Sequence, residues 1–172
     1  MKENEFFIVC DWAMKFLPKT FREDQCDWFA KRGIPWHLSI AFKKIDNSLH
    51  SPGFIHIFSN QTSQDSHTTS GIMQDVITSI QDDNQSTQFH LWSDNAACYK
   101  SSEMMAQLFN LGSVQTYNFF EAQNGKCPCD RTAAAVKSAI RRYINQGNDV
   151  VTANHMKEVR IFLFMYYTFM YL

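Results

Sequence analysis

Residues 88–99 read QFHLWSDNAACY, and this stretch decides the fold. The residues before Asp94 alternate between polar and apolar, which predicts a strand that ends at that acid. Helical spacing of apolar residues over 101–111 follows, and Gly112 is placed to stop that helix. Residues 114–119 read as the next strand. A strand, a helix and a strand in this order predict a parallel pair joined by a right-handed crossover.

Upstream of this unit, three strands and one helix are predicted. The strands cover residues 6–14, 36–43 and 53–59, and the polar residues 46–52 predict a hairpin with a longer loop. The helix covers 66–80, with Ser66 as its cap. A last helix is predicted over 130–145. The order β-β-β-α-β-α-β-α favours an α/β fold with a five-stranded mixed sheet and helices on both faces.

Composition limits the class of protein. A chain of 172 residues that is 45% hydrophobic and 15% aromatic can form a real core, which excludes a disordered chain. The formal net charge of −1 gives no global basic field, so binding to nucleic acid would need a local patch. No secretory signal opens the chain and the five cysteines are scattered, which predicts a reducing, intracellular compartment.

The last twelve residues differ from the rest. Residues 161–172 read IFLFMYYTFMYL, without a charge. They are too few to span a bilayer, so we expect no membrane association. We divide the chain into one domain over 1–155 and an apolar C-terminal tail over 156–172. The tail is either a buried terminal strand or helix, or a non-native end from a truncated or misread gene.

Three acids are candidates for chemistry. Asp11 interrupts the first predicted strand, where a carboxylate is costly unless it is paired or bound to a metal. Asp94 ends a strand and Asp130 opens the last helix. Each also has an ordinary explanation as a solvated strand residue, a turn residue or a helix N-terminal acid. Together they can converge, and clustered carboxylates need a divalent cation, for which oxygen ligands favour Mg²⁺ or Mn²⁺.

Several other polar residues surround Asp130. Lys137 and Arg141 share its helix face, because offsets of seven and eleven residues are near whole turns. Lys126 and Arg131 flank it in sequence. These four cations could contact phosphates, and they could equally be solvated charges.

Two further features leave alternatives open. Glu121 is a rival for the third acid, because it follows the fifth strand directly. The Cys127-Pro128-Cys129 segment could supply two zinc ligands, but no second pair stands at zinc-finger spacing. The six histidines show no paired metal pattern, which favours structural or surface roles.

Two segments resemble a known family. WSDNAACY resembles the SDNG-type segment of retroviral integrases and DDE transposases, in which the Asp ends the fourth strand. EAQNGKCPCDRTAAAVK is similar to their segment leading into the last catalytic helix. Thirty-five residues lie between Asp94 and Asp130, which matches the spacing of the integrases. The third acid of this family is usually Glu. Mariner-type transposases have Asp instead, so Asp130 is similar to theirs. DWAMKFLP and GIPWH resemble segments of transposon-derived eukaryotic proteins.

The resemblance implies a ribonuclease-H-like domain whose catalytic acids are Asp11, Asp94 and Asp130. It implies metal-dependent cleavage and strand transfer of DNA, with Mg²⁺ or Mn²⁺, in a nuclear protein that forms a homo-oligomer in a transposase-like complex. Two alternatives share these residues. One is an inactive, domesticated transposase domain that binds nucleic acid or protein. The other is a ribonuclease-H-like nuclease that acts on RNA–DNA hybrids.

Overall fold

A mixed β-sheet forms the centre of the molecule. The computed structural model describes residues 4–29, 31–81, 87–121, 127–159 and 167–171. The strands are β1 (Glu5–Phe16), β2 (Ile34–Ile45), β3 (Ser48–His50), β4 (Gly53–Ile57), β5 (Gln88–Ser93), β6 (Val114–Phe119) and β7 (Tyr167–Tyr171). The helices are α1 (Ser66–Ile80), α2 (Ala97–Lys100), α3 (Ser102–Asn110), α4 (Pro128–Asn145) and α5 (Ala153–Glu158), with a short 3₁₀ turn at Gln25–Trp28.

The sheet order places β1 in the middle. Within the described residues the order is β6-β5-β1-β2-β4-β7, and β3 pairs with β2. β1 is antiparallel to β2 and parallel to β5, and β5 is parallel to β6. The five predicted strands are therefore adjacent, in a mixed sheet, and β3 and β7 extend it. The crossover from β5 to β6 runs through α2 and α3, as the sequence predicts.

Helices cover both faces of this sheet, because alternate strand residues point to opposite sides. On one face, Ile8 and Leu91 pack with buried residues of α1 and α3, such as Met73 and Met104. On the other face, apolar residues of β1, β2 and β4 pack against α4 and α5. The face covered by α4 is the one to which Val9 and Ala13 belong. Asp11 lies between them in the same alternation.

The predicted hairpin with a longer loop is confirmed, because β2 pairs antiparallel with β4. The connection between them contains β3, which follows a tight turn at Asp46 and Asn47, with φ of 46° and 66°. Two local expectations are corrected. The cap of α1 is Asp65, not Ser66, because the Asp65 carboxylate accepts a hydrogen bond from the Thr68 amide at 2.9 Å. Finally, α4 begins two residues before Asp130, with a proline at its first turn.

The C-terminal part of the chain contributes to the core. The predicted division at residue 155 falls within α5, and Ala153, Met156 and Val159 are all buried against the sheet. Tyr167–Tyr171 lies within the predicted tail and pairs in parallel with β4. The native or non-native character of the tail stays a prediction, and residues 160–166 lie outside the described part of the chain. No helix among the described residues is both long and apolar enough to cross a bilayer.

Candidate active site

Asp11 is held at the centre of the sheet by its two neighbouring strands. It is paired with Leu38 on β2, and its preceding residue Cys10 is paired with Ser93 on β5. Asp94 follows Ser93, so the two acids lie at the same edge of adjacent strands. Asp11 also shares the α4 face with its apolar neighbours on β1. A central strand thus places a half-buried carboxylate where an apolar side chain would ordinarily pack.

Asp94 is oriented by a local turn. Its Oδ1 accepts a hydrogen bond from the Ala96 amide at 3.0 Å, which is the geometry of an Asx turn. The turn explanation of this residue is therefore correct, and it does not exclude a role in chemistry. The turn fixes one carboxylate oxygen and leaves the half-buried side chain lining a cleft beside Asp11.

Asp130 belongs to the cap of α4. Cys127 is the N-cap residue, and its Sγ accepts a hydrogen bond from the Asp130 amide at 3.4 Å. In return, Oδ2 of Asp130 accepts one from the Cys127 amide at 3.2 Å. This reciprocal pair is a capping box, and the proline between them suits the first turn. The cap holds Asp130 and Cys127 in a fixed relation at the end of α4 that faces the sheet.

The three predicted acids line one cleft of about 410 Å³. Its other lining residues come from β1, β2 and α4, namely Trp12, Ala13, Met14, Leu38, Cys129, Ala133, Ala134 and Lys137. Burial, followed by the negative charges of Asp94 and Asp130, raises the pKa of Asp11 from 3.8 to about 7. The charges of the acids are therefore close enough to oppose one another, which is the electrostatic condition that a divalent cation relieves.

Donor atoms for a cation are already close together. One donor atom each from Asp11, Asp130 and Cys127 lies within 4.8 Å of the others. This group differs from the predicted one, because it contains Cys127 and omits Asp94. Asp94 lines the same cleft, so it can serve the site from the β5 side. The carboxylates fit Mg²⁺ or Mn²⁺, which prefer oxygen ligands.

The two cysteines of the CxC segment have different surroundings. Cys129 is buried, and its Sγ donates to the Val9 carbonyl at 3.3 Å and lies 3.7 Å from the Leu38 carbonyl. Cys127 is half-buried at the start of α4, with its sulfur near the carboxylates of Asp11 and Asp130. The hydrogen bond between the two side chains lowers the pKa of the Cys127 thiol and raises that of the Cys129 thiol.

A second groove of about 380 Å³ adjoins the cleft, and Lys137 lines both. Lys15 and Lys19 line one side of this groove and Arg141 the other, with apolar residues of α4 between them. Lys19 is held there by two backbone hydrogen bonds of 2.8 Å with Val150. The sequence predicted Lys137 and Arg141 as phosphate contacts. It missed Lys15, near the end of β1, and Lys19, just after this strand, because the segment after the predicted strand showed no clear pattern.

The remaining predicted residues lie elsewhere. Arg131 is exposed on the first turn of α4, and it is not among the described residues that line either cavity. Glu121 is exposed after β6 and is likewise not among those lining residues. Lys126 lies outside the described part of the chain. Among the third-acid candidates, Asp130 is the one that the structure brings to Asp11.

Solved structures share this architecture. A chain of the simian T-cell lymphotropic virus intasome, in complex with PP2A regulatory subunit B56 gamma, superposes with a TM-score of 0.52 at 11% identity. The match covers 89% of this chain and 46% of that one, so the chain spans about half of its length. The HTLV-2 integrase catalytic core domain in complex with magnesium, in a trimeric form, gives a TM-score of 0.51 at 10% identity and covers 89% of this chain and 80% of the other.

These likenesses define the class as a ribonuclease-H-like α/β domain with the fold of retroviral integrase catalytic cores, as the sequence predicted. No curated protein matches the chain in sequence. The chain belongs to the family described as "Domain of unknown function (DUF8701)", which matches residues 1–169. That match includes both of the predicted segments, the domain and most of the tail.

Proposed function

We propose that this domain cleaves DNA phosphodiester bonds and transfers the resulting strands, using a divalent cation. The observation that carries the proposal is the convergence of Asp11, Asp94 and Asp130 from β1, β5 and α4 on one cleft. Burial, followed by the negative charges of Asp94 and Asp130, raises the pKa of Asp11, and a bound cation would offset both effects. The HTLV-2 core of the same fold was solved with magnesium, which supports a similar ion here.

The acids and the basic groove would have different roles, namely cation binding and phosphate binding. A bound Mg²⁺ or Mn²⁺ would supply activation of the attacking hydroxyl and stabilisation of the leaving oxygen. Asp11, Asp94 and Asp130 would hold it, and the Asx turn and the capping box keep the last two in place. Lys137 and Arg141, with Lys15 and Lys19 opposite, would bind the phosphates of a DNA strand that enters along the groove.

This local patch resolves the conflict with the net charge of −1. Four cations line one groove of a nearly neutral domain, so DNA would be attracted to that groove rather than to the whole surface. Assembly into a homo-oligomer and a nuclear location belong to the same proposal. The HTLV-2 core of this fold was solved in a trimeric form, which supports the former.

A second candidate is an inactive domain that binds nucleic acid or protein. It is favoured by the hydrogen bond from the Cys127 amide to Asp130, because a structural cap accounts for an acid at that position without any metal. A nuclease for RNA–DNA hybrids would use the same cleft. Substrate choice between these depends on the grooves and loops around the acids.

The test is nicking of supercoiled DNA by the full chain in Mg²⁺ or Mn²⁺, with RNA–DNA hybrids as a second substrate. Asp94→Asn keeps the size of the side chain and removes its charge, and Asp24→Asn is the matched control on the exposed surface. We expect wild type and Asp24→Asn to nick DNA equally, and Asp94→Asn to be inactive. Equal nicking by Asp94→Asn would contradict the proposal. Inactivity of every protein on both substrates would favour the binding module.

The groove has a separate test in DNA binding. Lys137→Ala and Arg141→Ala should each weaken binding to unrelated sequences to a similar extent. Each should also reduce the slope of log affinity against log salt by about one, because one phosphate contact releases about one counterion. An unchanged salt slope in both variants would remove the groove from the proposal and leave the acid cleft to be judged by nicking.

A further inference from the structure

The donor set around Asp11 includes a sulfur atom. Sγ of Cys127 and carboxylate oxygens of Asp11 and Asp130 lie within 4.8 Å of one another. Two ligands of one ion are at most about 4.6 Å apart, since bonds to oxygen and sulfur are about 2.0–2.3 Å long. The three donors, from β1 and the start of α4, therefore need only a small closure to share one cation.

Capping alone does not account for a cysteine at this position. A thiol is a weak hydrogen-bond acceptor, and Ser, Thr, Asp or Asn caps a helix better. The Cys127 sulfur accepts from the Asp130 amide at 3.4 Å. The same contact has a second consequence, because it holds the sulfur next to the carboxylate of Asp130. The helix cap thereby preorganises two donors that are three residues apart in sequence.

The neighbouring Cys129 also borders the cleft, but its thiol has other partners. Cys129 is buried in the core, where its thiol donates to the Val9 carbonyl at 3.3 Å. It is not part of the donor group among the described residues. Cys127 is half-buried and belongs to that group, so of these two thiols it is the one whose sulfur lies beside the carboxylates.

We propose that Cys127 is a direct ligand of the cation held by Asp11 and Asp130, and that it shifts the preference of the site from Mg²⁺ toward Mn²⁺, Co²⁺ and Zn²⁺. The inference rests on the proposed function, because it concerns the same site. Mg²⁺ prefers hard oxygen ligands, and a thiolate favours the softer first-row ions. The sequence-based expectation of a purely carboxylate centre would then be incomplete at one ligand.

The experiment is titration of the full chain with Co²⁺, followed by absorption spectroscopy. A cobalt ion bound by a thiolate shows a sulfur-to-metal charge-transfer band in the near ultraviolet, which oxygen ligands do not produce. Cys127→Ser removes the thiolate and keeps a good N-cap, so the fold should persist and can be checked by circular dichroism. Cys26→Ser, at an exposed thiol outside the cleft, is the matched control.

We expect wild type and Cys26→Ser to show the band, and Cys127→Ser to lack it and to bind Co²⁺ and Zn²⁺ at least about tenfold more weakly. Cys127→Asp should raise the relative affinity for Mg²⁺, measured by thermal unfolding with each ion. A band that persists in Cys127→Ser, or cobalt binding without a band in wild type, overturns this inference alone. No cobalt binding by wild type overturns it together with the metal site of the proposed function.

Discussion

The two faces of the sheet treat polar groups in opposite ways. Beneath α1, His37 is fully buried and its Nε2 lies 2.9 Å from the Tyr99 hydroxyl, while Nε2 of His56 lies 3.0 Å from Asp75. Beside α4, three carboxylates line one cleft, and Lys137 is the basic residue among the described residues that line it.

The difference between the faces is one of charge. Burial lowers the pKa of both His37 and His56, so these imidazoles are neutral and their hydrogen bonds stabilise the core. On the other face, burial and neighbouring acids raise the pKa of Asp11 to about 7, so its charged form is opposed by its surroundings. Buried imidazoles that stay neutral indicate structure, whereas clustered like charges indicate a site for an ion.

The largest expected effect separates activity from stability. If the proposed function is correct, Asp94→Asn reduces nicking by several orders of magnitude, because the cation that activates the nucleophile is lost. Its free energy of unfolding in urea should stay within about 1 kcal/mol of wild type, because the Asn side-chain oxygen can accept the same hydrogen bond from the Ala96 amide. A strongly destabilised Asp94→Asn would mean that this acid stabilises the fold, as the buried histidines do.

Substitutions of Tyr99 should lower the stability of the protein, in contrast to Asp94→Asn. Tyr99 is fully buried, so Tyr99→Ala should lower the free energy of unfolding by about 3–5 kcal/mol, the range for large aromatic side chains in cores. Tyr99→Phe removes only the partner of His37 and should cost about 1–2 kcal/mol. Denaturant unfolding of both variants separates the contribution of the packed ring from that of the hydroxyl hydrogen bond. A neutral Tyr99→Phe would show that the hydrogen bond to His37 contributes nothing.

Asp11→Asn should stabilise the metal-free protein, in a manner that depends on pH. The folded-state pKa of about 7 lies above the ordinary 3.8, so the folded state retains a proton that the unfolded state releases. Wild-type stability from this group is therefore present at low pH and lost as pH rises toward 7.

The partial exposure of Asp11 limits the expected difference in stability between Asp11→Asn and wild type. At pH 8 without divalent ions we expect Asp11→Asn to be more stable than wild type by about 1–2 kcal/mol, since solvent screens a half-buried charge. The difference should vanish near pH 4 and should shrink when Mn²⁺ is added. Thermal unfolding from pH 4 to 8 measures this. A constant difference across that range would contradict the raised pKa.

The smallest expected effects are those of replacing one glycine on each side of the sheet by alanine. A Cβ on Gly71, in α1, meets nothing within 4 Å, so Gly71→Ala should stabilise the protein by about 0.5–1 kcal/mol through helix propensity. A Cβ on Gly33 would lie 2.7 Å from Cβ of Lys15, at the groove, so Gly33→Ala should be destabilising by about 1 kcal/mol or more. The same sign for both would show that the groove side is as open as α1.

The local sequence pattern was sufficient to predict element boundaries where one rule applied to the segment. The boundaries of Gln88–Ser93, Val114–Phe119 and Ser66–Ile80 agree with the sequence-based prediction, because alternation and helical spacing are properties of neighbouring residues. One error falls where two residues obey the same rule, since Asp65 and Ser66 can both cap a helix. The short strand β3 was missed, because the Asp46-Asn47 turn before it lacks the glycine that usually marks a two-residue hairpin.

The sequence by itself determined the order of the five central strands and of α1, α3 and α4, and it identified Asp11, Asp94 and Asp130 as candidates. Its resemblance to integrases implied the ribonuclease-H-like fold. Only the tertiary structure decided which groups share the cleft. It brings Cys127 to Asp11 and Lys15 to the side of Lys137, and it leaves Glu121 outside. The physical reason is that periodicity fixes which face a residue takes within its own element. The distance between side chains on β1 and α4 depends instead on how those elements pack across residues far apart in the chain.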